Sequence, residues 1–545
     1  MANVLINEQH LKNIANSVRN KLGTTEKMLP ANMASHIDLI STGSPGAEEA
    51  LMFFLTRIEK TDYDDEDNEI VINDDEIEKI TNFNWPKDLE IIGSHAFYYS
   101  AGLAVTSLPD SVKKIGEKAF YKCKNLALTS LPKNITEIGR EAFFLCENLA
   151  LTSLPKNITE IGESAFEGCE NLALTSLPEN AEFGDYVFWR CKNLALKSLP
   201  KNMTKIKRGM FGYCTNLALT ELPSGITEIG QEAFSSCENL ALTSLPENLT
   251  TIGWGAFQNC TNLALTSLPS GLTEIPEEVF ENCTNLALTS IPKNLTKIGY
   301  RAFAGCTCFT DLVISPDGPE IQPGAFADCN LETVTINGDG NDYNYEFTNA
   351  LGGLNMDKLI LNGNVLNSYD NHHLVFWWLQ ESQIREIIVN CNIGTPSPEE
   401  GKEEDMNFGD CIAEIITFNK YVYLDGNRSV ANCKNVTTIN LKKGFKTTGA
   451  GFIDCYDLST INIYLSEENV TELDSYSLQN CPSLTTINII GPSNAIEKGM
   501  ISISSEAFSG LYDNSITINV PWAEGKTPDA PWGAPNATIN YNYTF

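Results

Sequence analysis

A 23-residue phrase returns along most of the first two thirds of the chain. Residues 131–153 read LPKNITEIGREAFFLCENLALTS, and from residue 154 the text restarts as LPKNITEIGESAFEGCENLALTS. A phenylalanine marks the register at Phe97, Phe120, Phe143, Phe166, Phe188, Phe211, Phe234, Phe257, Phe280, Phe303 and Phe326. Each step is 23 residues except the one of 22 before Phe188, where LPENAEFGDYVF is one residue short. Leu108, Leu131, Leu154, Leu177, Leu199, Leu222, Leu245, Leu268 and Ile291 keep the same beat, each followed by proline. A fixed period of this length is the mark of a stacked-repeat architecture, in which each copy buries its apolar face only against its neighbours.

One copy shows how the stack is built. Leu126 and Leu128 alternate inward in NLALTSLP, which predicts a short strand with one face buried, ended at Pro132 because proline has no N–H to donate. Ile135 and Ile138 continue inward, and Ala142, Phe143 and Cys146 follow at helical spacing, which predicts a helical turn. Parallel strands of neighbouring copies should lie about 4.7 to 4.9 Å apart. A glycine follows the isoleucine at Gly116, Gly139, Gly162, Gly230, Gly253 and Gly299, yet Lys207 and Pro276 occupy the same column. Proline is held near φ of about −65°, so that column should have negative φ throughout. The expected fold is an α/β solenoid of short parallel strands and helical turns.

Other regions read differently. In residues 1–42, Leu11, Ile14, Ala15, Val18 and Leu22 fall at helical spacing, Gly23 is a stop and Pro30 opens a second short helix with Met33 and Ile37. That predicts a small helical module for attachment or self-association. Residues 43–84 read as an acidic linker and entry to the solenoid, 85–335 as regular repeats, 336–430 as an irregular, insertion-rich middle, and 431–545 as looser repeats with a C-terminal cap. The looser copies are NCKNVTTINL, DCYDLSTINI and NCPSLTTINI, around Cys433, Cys455 and Cys481.

Charge narrows the partners. The formal net charge is −33, from 37 basic and 70 acidic residues, so Coulomb repulsion opposes nucleic acid and anionic bilayers. Residues 57–80 hold eleven acids and three bases, but counted from Asp62 the run lacks the glycine and glutamate of a calcium loop and reads as a solvated face. The longest apolar run, Ala50 to Leu55, falls far short of the roughly 18 residues of a membrane span. The N-terminus has no apolar core of a secretory signal, which predicts synthesis into the cytoplasm.

Ten cysteines sit on the repeat register: Cys123, Cys146, Cys169, Cys191, Cys214, Cys237, Cys260, Cys283, Cys306 and Cys329. One thiol per copy makes a line, and tetrahedral zinc needs four converging ligands, so no metal is expected there. Neighbouring copies would bring Cα atoms within disulfide range but with parallel Cβ directions, and the expected state is a reduced, buried thiol that fills space. The Asn-x-Thr triplets at Asn134, Asn157, Asn202, Asn248 and Asn294 are by-products of the repeated corner. None of the five histidines, His10, His36, His95, His372 and His373, lies in a catalytic or metal motif. His372 and His373, beside Phe376, Trp377 and Trp378, read as a packed insertion. No catalytic residue, metal or cofactor is predicted.

The phrase IG..AF..C..L with its short strand and proline resembles the BspA-like (Treponema-type) leucine-rich repeats, over about residues 85–335. The phrase LKNIANSVRNKLGTTEKMLPANMASHI resembles N-terminal modules of tail and baseplate-associated proteins of Firmicutes phages, and VPWAEGKTPDAPWGAPNATINYNYTF resembles C-terminal ends from the same context. These resemblances imply a non-enzymatic virion protein, a tail-tip or fibre-like adhesin made in the host cytoplasm. Its partners would be a bacterial surface receptor, glycan or protein, and other tail proteins through residues 1–42. A bacterial cell-surface adhesin and a tail-associated polysaccharide-degrading enzyme are the alternatives.

Variation between copies shows where recognition would sit. The strand column is monotonous: Thr129, Thr152, Thr175, Thr220, Thr243, Thr266 and Thr289, interrupted by Lys197. Residues around the phenylalanine vary, and the aromatic and basic ones among them, Tyr121, Phe144, Tyr186, Trp189, Arg190, Tyr213, Trp254 and Tyr300, are the ligand-binding candidates. Such rings either stack on sugars and anchor partners, or cover apolar edges between copies.

Overall fold

In a computed structural model of the chain, the destination of each backbone N–H explains the coil. Around Phe143, the N–H groups of Ala142, Phe144 and Cys146 close local turns onto Gly139, Glu141 and Phe143, at 3.3, 3.2 and 3.1 Å. Those of Glu141, Phe143 and Leu145 leave the coil for Glu163, Ala165 and Glu167 of the next, at 2.8, 2.8 and 2.7 Å. Donors thus alternate between the turn and the neighbouring coil. A helix needs consecutive donors bonded within itself, so none forms. Glu141 and Leu145 have φ of 51° and 53°, which also breaks helical continuity. The expected helical turns are therefore corrected to paired tight turns, and no helix occurs among the described residues.

Described are residues 85, 89–288, 290–315, 318–338, 355–363, 384–390, 413–425, 430–431, 433, 435–449, 451–511, 515–527 and 529–545. The helical module at 1–42, the acidic run at 57–80, His372, His373 and the aromatic insertion beside them lie outside these residues. The chain divides into two compact units, Met1–Leu288 and Thr289–Phe545.

In the first unit the strands are two residues long and all parallel. Ile91–Ile92, Lys114–Ile115, Glu137–Ile138, Glu160–Ile161 and Glu182–Phe183 form one sheet, and Lys205–Ile206, Glu228–Ile229 and Thr251–Ile252 another. Strand structure therefore falls on the Glu-Ile pair, and the expectation of a strand over NLALTSLP is corrected. That segment crosses between coils by isolated bonds, such as Ala150 N–H to Leu128 O at 3.1 Å, before the Leu-Pro corner removes the next donor.

The glycine after each isoleucine has negative φ, as expected, and its role is close approach. A Cβ on Gly139 would lie 2.6 Å from the Glu117 nitrogen of the preceding coil, and one on Gly162 would lie 2.5 Å from that of Arg140. The N–H at this position donates to the preceding isoleucine, as from Gly139 to Ile115 O at 2.8 Å. The two exceptions mark interruptions. The first sheet ends before Lys205–Ile206, which Lys207 follows, and the second ends before Glu274–Ile275, which Pro276 follows. Pro276 has no N–H to give, and Lys207 carries a Cβ in the column where most coils of this unit have glycine.

Two spines run through this unit. Phe97 to Phe280 are fully buried and stack with centroids 5.2 to 5.8 Å apart, the rings of successive coils nearly parallel. Beside them each register cysteine donates its S–H to the carbonyl of the phenylalanine one coil earlier. Cys146 reaches Phe120 O at 3.0 Å and Cys237 reaches Phe211 O at 3.0 Å. All described cysteines are free thiols, and the ten on the repeat register are buried. Burial pushes the Cys146, Cys169, Cys191, Cys214, Cys237 and Cys260 thiols far above the ordinary range, because no counter-charge offsets the desolvation of a thiolate there.

The second unit opens with two-residue strands of the same kind, Lys297–Ile298 and Glu320–Ile321, and then lengthens the strands. Its main sheet has ten parallel strands, from Asp311–Ile314 through Asn330–Gly338, Asn355–Gly363, Ile384–Val389, Ile415–Phe418, Thr438–Leu441, Thr460–Tyr464, Thr486–Ile490 and Thr517–Asn519 to Thr538–Asn540. Val334, Leu359, Ile387, Ile416, Ile439, Ile461, Ile487 and Ile518 pair in register and are buried. Two more parallel sheets share these coils. One contains Val422–Asp425, Phe445–Thr448, Thr471–Leu473 and Ile501–Ile503, the other Val430–Ala431, Phe452–Ile453 and Leu478–Gln479. Asparagine amides bridge the main strands: Asn362 to Asn337 at 2.9 Å, Asn390 to Asn362 and Asn419 to Asn390 at 2.8 Å, then Asn462 to Asn440 at 2.8 Å and Asn488 to Asn462 at 2.7 Å. Trp522 and Trp532 are fully buried near the C-terminus.

Candidate binding surface

The variable positions lie on the paired turns. The residues two before and two after each phenylalanine are left-handed: Lys118 and Lys122 about Phe120, Tyr186 and Arg190 about Phe188, Tyr213 after Phe211. Glycine occupies the same columns at Gly168, Gly209 and Gly255 with no such penalty. Any other residue there costs about 1 kcal/mol or more, so large side chains at these sites are not what the backbone prefers.

Two clusters result. In the first, Tyr121 stacks on Tyr98 at 4.9 Å and on Phe144 at 4.7 Å, the latter nearly parallel. Lys122 caps it, its Nζ 4.8 Å from the Tyr99 ring centre and 3.1 Å from the Tyr99 hydroxyl. Burial, followed by the charges of Tyr99, Tyr98 and Glu141, raises the Tyr121 phenol, so it stays a neutral donor. Both faces of the Tyr121 ring are taken by neighbours. Sugar stacking on that ring, one of the two readings open from sequence, has no free face, and Tyr121 and Phe144 serve as inter-coil cover.

The second cluster is a continuous chain of contacts across two coils. Arg208 lies 5.1 Å from the Tyr186 ring, Tyr186 meets Trp189 edge-on at 5.3 Å, Trp189 meets Tyr213 at 4.9 Å, and Arg190 lies 5.7 Å from Tyr213. The rings rest on glycines of the next coil. A Cβ on Gly209 would lie 2.1 Å from Tyr186 Cδ1, and one on Gly212 would lie 2.1 Å from Trp189 Cζ3. Arg190 and Tyr213 are exposed, the latter 40%. Burial raises the Glu167 carboxyl, and Ser164 and Arg190 oppose that shift. Burial likewise raises the Tyr186 phenol, against the pull of Arg208.

Four of the predicted residues, Tyr186, Trp189, Arg190 and Tyr213, thus come together. Trp254 is half-buried on a later coil of the first unit, and Tyr300, 42% exposed, belongs to the second unit. Sequence reasoning missed Arg208, Tyr98, Tyr99 and Lys122. Arg208 stands three before Phe211 and Tyr186 two before Phe188, so writing the copies in register would have set them side by side.

Stacked parallel coils, one per repeat, with a leucine, isoleucine and phenylalanine interior define the leucine-rich-repeat solenoid. Residues 75–195, 182–310, 273–369 and 404–500 match the BspA type leucine rich repeat region, and the chain belongs to that family. A leucine-rich repeat protein from Bacteroides ovatus is 19% identical, covering 77% of this chain and all of its own, with a TM-score of 0.39. The leucine rich repeat protein of T. pallidum is 34% identical over 32% of this chain and 82% of its own, TM-score 0.28. A leucine rich cell surface protein from Faecalibacterium prausnitzii is 21% identical over 72% and 86%, TM-score 0.30. No curated protein matches the chain.

Proposed function

We propose that this protein is a non-enzymatic docking solenoid carried on a phage tail, a tail-tip or fibre-like adhesin that meets the bacterial surface through the turn face of its regular coils. The observation that carries the reading is the Arg208, Tyr186, Trp189, Tyr213, Arg190 chain, a preformed run of rings and cations of which Tyr186, Arg190 and Tyr213 sit at costly left-handed positions. Aromatic and arginine side chains on a fixed scaffold are the groups that dominate binding surfaces. Residues 1–42 would hold the protein to other tail components or to further copies of itself. Several copies on one particle convert weak contacts into avidity.

The placement on a virion rests on the resemblance of residues 1–42 and 520–545 to phage tail proteins. Mass spectrometry of purified particles tests it: peptides of this chain among the structural proteins are expected, and their absence removes the virion. The docking surface itself would serve a bacterial cell-surface adhesin equally well. Purified chain should bind intact cells of a susceptible host, and a chain that binds none removes the docking function under either placement. Loss of self-association on deleting residues 1–42, read by light scattering, is the expected result for that module.

A further inference from the structure

Charge along the first unit is unevenly spread. Between Tyr186 and Thr220 lie seven of the chain's 37 basic residues, Arg190, Lys192, Lys197, Lys201, Lys205, Lys207 and Arg208, and none of its 70 acidic ones. Three pair with acids outside that stretch: Lys192 with Glu170 at 2.6 Å, Lys205 with Glu228 at 2.6 Å and Arg208 with Asp185 at 3.3 Å. Arg190, Lys197, Lys201 and Lys207 are exposed and form no ion pair among the described residues. These residues fall on the same two successive coils that carry the aromatic chain.

We propose that this basic band is a binding site for an anionic, phosphodiester-linked polyol polymer of the bacterial wall; the inference rests on the docking function above and names its ligand class. A polyanion is repelled by a chain of net charge −33 everywhere except where positive charge is concentrated, so the field itself selects these coils. The planar guanidinium offers paired N–H donors that fit a phosphate fork. Arg208 and Arg190 lie against the Tyr186 and Tyr213 rings, which restricts their motion before the ligand arrives. The Tyr186 and Tyr213 phenols, at the ring edges, suit polyol hydroxyls.

The ring geometry separates this ligand from single-stranded nucleic acid, which shares the phosphates. Nucleic-acid platforms hold bases by stacking on open aromatic faces. Here Tyr186 lies on Gly209, Trp189 lies on Gly212, and Trp189 and Tyr213 meet edge to face. With Tyr186, Trp189 and Tyr213 meeting edge to face, no parallel pair of rings is offered to successive bases, and the geometry suits backbone anions and hydroxyls better.

Binding of the full-length protein to purified poly(glycerol phosphate) wall polymer, followed by calorimetry, tests the proposal. Phosphate-free dextran and an oligothymidylate of matched charge are the two comparison arms. Saturable binding to the phosphate polymer, weakening as salt rises, is expected, with dextran inert and the oligothymidylate weaker. Arg190→Gln and Arg208→Gln should each weaken binding by about tenfold, the scale of a charge-assisted hydrogen bond. Lys442→Gln, a cation on Tyr464 in the second unit, should change nothing. An unchanged far-ultraviolet spectrum and melting midpoint show that the variants fold. Equal binding of dextran, tighter binding of the oligothymidylate, or full affinity in the arginine variants overturns the site. If the double arginine variant still binds host cells as well as the parent, the band alone is refuted and the docking function stands.

Discussion

The two units wind the same kind of coil but brace it differently. In the first, strands are two residues long, and inter-coil cohesion runs through a phenylalanine stack, a thiol file and N–H groups shed by the turns. In the second, strands of three to nine residues build the main sheet and one beside it, and asparagine amides bond along the main sheet, whereas the amide file of the first unit, such as Asn216 to Asn193 at 3.1 Å and Asn262 to Asn239 at 3.2 Å, lies on its turns. The difference teaches how surface and scaffold trade places. A short-strand coil spends much of its length in turns, which frees positions for variable side chains. A long-strand coil puts that length into a ladder and gains regular pairing in exchange.

High pH should separate the units most sharply. A buried thiol whose folded pKa is raised leaves the folded state protonated while the unfolded thiol ionises near about 8.5. The stabilisation is therefore complete below that pH and is lost as pH rises further, at about 1.4 kcal/mol per pH unit for each thiol. Six such thiols lie in the first unit, against Cys329 and Cys481 in the second. Denaturant melts between pH 7 and 10 should show a steep fall in the stability of the first unit, located to residues 120–280 by hydrogen exchange. A flat profile would mean the thiols are not sealed.

A single lesion in the ring stack comes next. Phe211→Ala should cost about 3 to 5 kcal/mol, since a fully buried ring is removed from between two others. Exchange protection should fall in the first unit and hold in residues 438–520. Gly212→Ala should cost about 1 to 3 kcal/mol by forcing Trp189 off its seat, with a shift in tryptophan emission reporting the displacement. Asn462→Ala, which opens one rung of the amide ladder, should cost only about 1 kcal/mol, measured in the same melts. If it cost as much as Phe211→Ala, the contrast between the units would dissolve.

The parts legible in the sequence were those that burial dictates. Phe143, Ile138 and Cys146 must be apolar in every copy, so the period, the parallel stacking and the sealed thiols could be read directly. The turns could not. Ala142, Phe143 and Cys146 have helical spacing, and only the alternating destination of the N–H groups shows that no helix forms. The strand was misplaced for a similar reason: Leu126 and Leu128 alternate like a strand, but the ladder forms at Glu137–Ile138, where glycine lets backbones approach. The surface was half readable. Tyr186, Trp189, Arg190 and Tyr213 stood out as variable residues, whereas their contact with Arg208 depends on a register set across some two dozen residues. The acid-free run from Tyr186 to Thr220 was readable by eye and gains meaning only when those coils are stacked.

Because the turn N–H groups of one coil are answered by the very next, a coil has no memory of its place in the file. An unequal crossover within the gene that inserted or deleted one whole 23-residue period would restore the turn N–H bonds at the new junction wherever the flanking copies carry the common sequence. Array length is then free to change while the cross-section stays constant, and the position of the basic coils along the array becomes a quantity that recombination can tune.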